Sequence, residues 1–231
     1  MCTLCALPSL RAQVGEARND WTVGVSGGMA MDKISFSPYI SQSWHTGPMG
    51  GLTVRYTCEK YYKLICSLQL EVNYANLGWK EDIILADGTP SAETANPETY
   101  QRDLHYVQLP LLARLGIGRE YRGVMGYLVA GPQVGYMLRE TTKHSDYWNP
   151  TDRVNGHYHQ YDMAIKNRFD YGITAGLGME VSTVAGHFLI EGRYYMALSN
   201  LFGASKSDVF GRSANGAIVA KVTYLLPNKK K

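Results

Sequence analysis

The segment Phe169–Val181 alternates in character at every position. Phe169, Tyr171, Ile173, Ala175, Leu177, Met179 and Val181 fall on odd positions. Asp170, Gly172, Thr174, Gly176, Gly178 and Glu180 fall on even ones. Successive side chains of a strand point to opposite faces, so one face of this segment is continuously apolar and the other small and polar. About eight segments read this way, joined alternately by tight turns and long polar loops. In a soluble barrel the polar faces meet water and the apolar faces meet a core. Here the apolar faces are larger, and the opposite faces are too rich in glycine and charge to form a hydrophobic interior. The barrel is therefore read inside out, with apolar faces toward lipid and polar faces toward the lumen. A soluble lipocalin-like barrel, the rival architecture, would carry its apolar positions inward.

Composition is compatible with this reading and excludes others. The longest uncharged run near the middle, Gly123 to Leu138, has 16 residues and contains Gly and Pro. A spanning helix needs ~20 apolar residues, and the mean hydropathy is only −0.22. A helical membrane protein is excluded; a barrel, whose strands are only half apolar, is not. The net charge of +3 is too small and diffuse to point to nucleic acid.

The termini carry their own signals. Met1 to Ala12 resembles the back half of a secretory signal, with a short apolar stretch and Leu10-Arg11-Ala12 as a loose small-residue cleavage site. The basic start of such a signal is missing, so translation is expected to begin upstream. Residues 1–12 are thus assigned to a truncated signal-like segment, 20–226 to the barrel, and 227–231 to a basic, solvated tail. Cys2 and Cys5 lack the context of a lipid-anchor site.

Strand by strand, parity assigns the faces. The first strand, about Trp21 to Met31, sends Trp21, Val23, Val25 and Met29 outward and Thr22, Gly24, Ser26 and Gly28 inward. The second sends Leu52, Val54 and Tyr56 outward against Gly51, Thr53 and Arg55. The third alternates from Leu64 to Ala75 with Glu71 inward, matching a period of two six times in succession. The fourth, about Leu104 to Ile117, contains Pro110, which cannot donate to a ladder; a bulge there is expected. The fifth, about Val124 to Leu138, has unclear facing because Gly131-Pro132 interrupts it. Phe169–Val181 is the sixth. The seventh and eighth send Phe188, Ile190, Tyr194, Ile218, Ala220, Val222 and Tyr224 outward. Turns of about five or six residues follow the second, fourth and sixth strands, and loops of roughly 14 to 29 follow the others. Short turns on one side and long loops on the other are the asymmetry of outer-membrane barrels. Open sheet edges cannot be satisfied in lipid, so the sheet must close. The fold class is all-β: an eight-stranded antiparallel transmembrane barrel with short periplasmic turns and long extracellular loops.

Three stretches resemble motifs of one family. Tyr106-Val-Gln-Leu-Pro-Leu-Leu-Ala-Arg114 is similar to its strand-four motif, Val129-Ala-Gly-Pro-Gln-Val-Gly-Tyr136 to its strand-five motif and Phe188-Leu-Ile-Glu-Gly-Arg-Tyr194 to its strand-seven motif. Their order and spacing over residues 20 to 226 resemble the PorT or "porin family" outer-membrane barrel domain of Bacteroidetes-type bacteria. That resemblance implies an eight-stranded barrel in the outer membrane of a Gram-negative bacterium. Its named member assists protein secretion across that membrane, while most members have no assigned role. One departure is the end of the chain: such barrels commonly end on an aromatic residue, whereas Tyr224 is followed by Leu-Leu-Pro-Asn-Lys-Lys-Lys231.

The chemistry reduces to the inward charges Arg55, Glu71, Arg114, Glu180, Glu191, Arg193 and Lys221. A narrow eight-stranded lumen is just wide enough for its own side chains. Near-electroneutral filling by ion pairs is therefore expected, with Gly176 and Gly178 leaving room opposite Glu191 and Arg193. The competing reading is a polar channel or substrate site. His157 and His159, with His144 in the same loop, lack a third spaced ligand and read as solvated loop residues. Gly24-Val-Ser-Gly27-Gly28 lies within a strand and not before a helix, so no cofactor motif appears. No nucleophile–base spacing selects a catalytic pair. Cys58 and Cys66 share outward parity; a simple register sets Cys58 opposite Leu64 and Cys66 opposite Tyr56, giving free, lipid-facing thiols. Tyr56, Tyr74, Tyr127, Tyr136, Tyr194 and Tyr224 suggest interfacial girdles. Function is expected to be non-enzymatic, an accessory in secretion or envelope assembly. The alternatives are a surface ligand-binding or adhesion barrel and a rim-sited hydrolase. Outer-membrane lipid and lipopolysaccharide surround it, and secretion-machinery or envelope proteins are the candidate partners.

Overall fold

The computed structural model describes residues 15–119, 122–151, 153, 161, 163–203 and 208–227. Its strands are β1 (Glu16–Ser37), β2 (Gln42–Ser43), β3 (His45–Tyr61), β4 (Leu64–Glu81), β5 (Tyr100–Gly118), β6 (Gly123–His144), β7 (Phe169–Thr183), β8 (Gly186–Ala197) and β9 (Arg212–Leu225). Each long strand is antiparallel to its neighbours. The first closes on the last, from Gly24 opposite Leu225 to Ser37 opposite Arg212. The result is a ring of eight strands, with the two-residue β2 paired onto the end of β4. The expected signal-like segment and Lys229-Lys230-Lys231 lie outside the described residues.

The outward positions are those assigned by parity. Trp21, Leu52, Leu128 and Leu177 are each more than 60% exposed, a surface that suits hydrocarbon and not water. Rings flank this band. Trp21 packs on Tyr56 with centroids 4.7 Å apart and Phe188 on Tyr224 at 5.1 Å near the turns, while Tyr74 meets His105 Nδ1 at 2.7 Å toward the loops. Tyr127 is a correction: it points into the lumen and is buried. The facing of β6 is thereby settled, with Leu128 and Val134 outward and Tyr127, Val129 and Gln133 inward.

Pro110 sits without a bulge. Its ladder to β6 runs in unbroken register from Pro110 opposite Gln133 to Ala113 opposite Ala130, and the shift falls earlier, at His105/Tyr106. Cys66 lies opposite Glu59 and not Tyr56, because β3 continues to Tyr61 and a bulge between Thr57 and Glu59 resets the register. Both thiols are free and half-buried. Two of the turns are tighter than expected, with residues 62–63 and 184–185 joining their strand pairs. Gly186, at φ +140, leaves room there for the Tyr224 ring, whose hydroxyl donates to Ala185 O at 2.6 Å.

The long strands outrun the membrane. They reach 22 residues in β1, whereas ~9–11 tilted residues cross the hydrocarbon. The excess lies on the loop side, where the interior is hydrophobic, contrary to expectation. Phe36, Trp79, Phe202 and Phe210 stack there with ring centroids 5.0–6.3 Å apart, joined by Leu77, Tyr100 and Leu104. Above the bilayer the outer face meets water, so the inner face becomes the place to bury apolar area. The loops then fold over it. Residues 38–44 connect β1 to β3, Ser91–Glu93 forms a 3₁₀ turn in the next loop, and the described residues 145–151, 163–168, 198–203 and 208–211 add to the cap.

Candidate functional site

The lumen is the site, and it is layered. From the short turns upward, β9 sends Leu225, Thr223, Lys221, Val219 and Ala217 inward, and β8 sends Leu189, Glu191, Arg193 and Tyr195. All seven inward charges assigned from parity are at least nine-tenths buried there. They form two groups.

The upper group is a quartet of Glu71, Glu191, Arg193 and Lys221. Arg193 binds Glu71 through both terminal nitrogens, at 3.0 and 2.7 Å, and reaches Glu191 Oε2 at 2.6 Å. Lys221 Nζ lies 2.7 Å from Glu71 Oε1 and 3.5 Å from Glu191 Oε2. Two acids face two bases, so the quartet is neutral. Neutral donors complete it. Gln69 and Asn73 donate to Glu71 at 2.6 and 2.7 Å, and the Tyr127 hydroxyl donates to Glu191 at 2.8 Å. The glycines of β7 make the space. A Cβ at Gly176 would lie 2.8 Å from the Arg193 stem, and one at Gly178 would strike the Tyr127 ring at 2.5 Å. Gly178 lies opposite Glu191, as the alternation predicts, and also accommodates the Tyr127 ring.

The lower group is Arg55, Arg114 and Glu180. Both guanidiniums bind one oxygen, Glu180 Oε2, Arg55 at 2.7 Å. Arg55 Nε also donates to Thr22 at 3.1 Å. The Arg114 guanidinium lies over the Tyr127 ring, 3.8 Å from its centroid. Glu180 Oε1 lies 2.7 Å from His187 Nδ1, and Ser182 Oγ lies 2.9 Å from that same nitrogen. A serine relay needs the hydroxyl on one ring nitrogen and the acid on the other. With both on Nδ1, these three residues form a hydrogen-bonded cluster and not a relay. Beneath them a cavity of about 360 Å³ opens at the turn side, lined by Asp20, Thr22, Arg122 and His187 together with the trio.

A third polar cluster sits above the apolar band. His45 Nδ1 and Nε2 each lie 2.9 Å from a carboxylate, of Asp32 and Asp103, all three buried. Lys143 approaches Asp103 at 2.6 Å, and the Gly78 N–H donates to Asp32. In the cap, Arg153 joins Glu98 at 3.0 Å, and Tyr161 donates to Glu81 at 2.6 Å. Burial and the charge of Glu81 hold the Tyr161 hydroxyl well above the usual phenol range, so it remains a donor. His144 stacks on Trp148, while His157 and His159 lie outside the described residues.

Parity located the seven charges because they lie inside the predicted strands. It missed Tyr127 because β6 had no clear facing. Asp32 and Asp103 lie just past the predicted strand ends; extending inward parity would have found Asp32, but Asp103 is odd-numbered, out of step with Gln108 and Arg114, because the ladder shifts at His105/Tyr106. Ser182 and His187 carry inward parity but sat in the predicted turn and at its edge.

No curated protein matches the chain. The crystal structure of Ail, the attachment invasion locus protein of Yersinia pestis, is similar at 13% identity and TM-score 0.38, over 91% of this chain and 99% of that one. Neisserial surface protein A is similar at 14% identity and TM-score 0.41, over 87% and 96%. The outer membrane enzyme PagL is similar at 10% identity and TM-score 0.41, over 90% and 99%. Residues 11–203 match the model of the outer membrane protein beta-barrel domain. With its closed ring, its apolar outer band and its polar lumen, the chain belongs to that outer membrane beta-barrel family and resides in the outer membrane of a Gram-negative bacterium.

Proposed function

We propose that this barrel acts without catalysis, as a closed scaffold that serves protein secretion or envelope assembly at the outer membrane. The observation that carries the closed reading is the filling of the lumen. Directly above Arg193 the interior leaves a cavity of only about 10 Å³ between Met49, Gln133, Tyr195 and Val219, room for ~1 water molecule. The aromatic cap lies over it. The secretion role is supported by the motif resemblance of Tyr106–Arg114, Val129–Tyr136 and Phe188–Tyr194 to PorT-type barrels. Deleting the gene and assaying exported cargo tests it: secreted and surface-displayed proteins are expected to fall. Unchanged export overturns the reading. In that case recognition through the loops becomes the better account, supported by Tyr39, Trp44 and Tyr147, which stand exposed on the extracellular side. Alanine at those three positions would then abolish surface binding while leaving barrel assembly intact.

A further inference from the structure

We infer that the cavity at the periplasmic mouth is a binding site for a small oxyanion, a phosphate or carboxylate solute entering from the periplasm. The inference rests on a charge imbalance between the two buried groups. In the quartet, Glu71 and Glu191 match Arg193 and Lys221 one for one. In the trio, Arg55 and Arg114 share the single carboxylate of Glu180, and indeed a single oxygen of it. Its second oxygen is occupied by His187. One positive charge is therefore left over at a site where the two arginines are 5% and 1% exposed. An uncompensated buried charge is strongly unfavourable. The Tyr127 ring beneath Arg114 offsets part of this through its quadrupole but supplies no counter-charge. Arg114 Nε, also buried, has no hydrogen-bond partner among the described residues.

The surroundings fit an anion. Thr22, Ser182 and His187 supply hydrogen-bonding side chains around the arginines, and Arg122 adds a further cation at the rim. Asp20 is the one other acid lining the cavity among the described residues, so the lining keeps an excess of positive charge: three arginines against two carboxylates. A volume of about 360 Å³ is at the small end of the range for ligand pockets, ~300–1,000 Å³. It admits a solute and not a folded partner. Paired N–H forks on Arg55 and Arg114 are the geometry that oxyanions favour. The cavity opens beside the short turns, with Thr183 and Val184 in its lining, and Arg55, Arg114 and Glu180 line it from within the lumen.

The test uses the detergent-folded full chain, with unfolding followed in urea while inorganic phosphate, acetate or chloride is titrated at constant ionic strength. Phosphate or acetate is expected to stabilise saturably; at ~100 times its dissociation constant it should shift the folding equilibrium about 100-fold. Chloride should not. The phosphate and acetate arms distinguish the two oxyanion classes. Arg55→Gln leaves Arg114 and Glu180 as a matched pair. It should weaken anion binding at least ~10-fold, the loss of a charge-assisted contact, yet cost little stability in anion-free buffer. Arg122→Gln, at the rim, provides a variant whose folding is not in question and should weaken binding less. Absence of saturable stabilisation by either oxyanion overturns the inference. So does an Arg55→Gln barrel that unfolds readily without anion, since that would mean the trio is already balanced within the protein.

Discussion

Arg193 bridges the two acids of the lumen quartet, holding Glu71 in a two-pronged contact while also reaching Glu191. Removing one partner of such a buried pair leaves the other charge stranded, at a cost of ~3–5 kcal/mol. Arg193→Gln alone and Glu191→Gln alone are therefore each expected to lower the urea midpoint of the folded barrel strongly. The double variant should cost much less than the sum of the two, because it removes opposite charges together. Additive losses would show that the two residues do not interact. Parity was enough to place these groups inward. It could not pair them, since Glu71 and Arg193 are separated by 122 positions and meet only across the barrel.

Strand β4 shows where a periodic pattern stops being informative. Its outward apolar positions end at Tyr74, where lipid ends, but the strand continues to Glu81 because its inner face then buries Leu77 and Trp79 in the cap. Gly78 is central to this extension. Its φ is +150, and a Cβ there would lie 1.9 Å from the Arg102 carbonyl oxygen of β5, a backbone atom that cannot swing aside. Gly78→Val should therefore force β4 and β5 apart at the loop end, at a cost of ~1–3 kcal/mol or more. Limited proteolysis is expected to cut the 82–99 loop faster in this variant. The membrane-embedded ring should keep its heat-resistant mobility on a gel. A cleavage rate equal to the parent's would mean the cap tolerates the separation.

The molecule as a whole is a closed barrel plugged twice, by a neutral ionic layer at mid-height and by an aromatic cap above it. Purified protein in planar bilayers is expected to show no steady conductance of water-filled-pore size. Single substitutions in the quartet should destabilise the barrel before they open it. A large, stable conductance unaffected by Arg193→Gln would mean that solutes pass around the quartet and that the charges line a pathway. Cell fractionation provides the companion measurement, with the chain expected in the detergent-soluble outer-membrane fraction.

Alternation with a period of two was sufficient to identify the fold class, the strand order, the lipid-facing surface and the inward placement of all seven charges. The hydrocarbon layer accounts for this: it demands an unbroken apolar outer face, and that demand is written locally, residue by residue. The strand ends, the turn lengths, the facing of β6 and the hydrophobic cap were settled by contacts between segments distant in the chain. The same is true of the division of the charges into a neutral quartet and an unbalanced trio. Glu180 meets Arg55 across 125 positions and Arg114 across 66. Which cation reaches which carboxylate depends on the register of the closed ring, and no local pattern encodes that register.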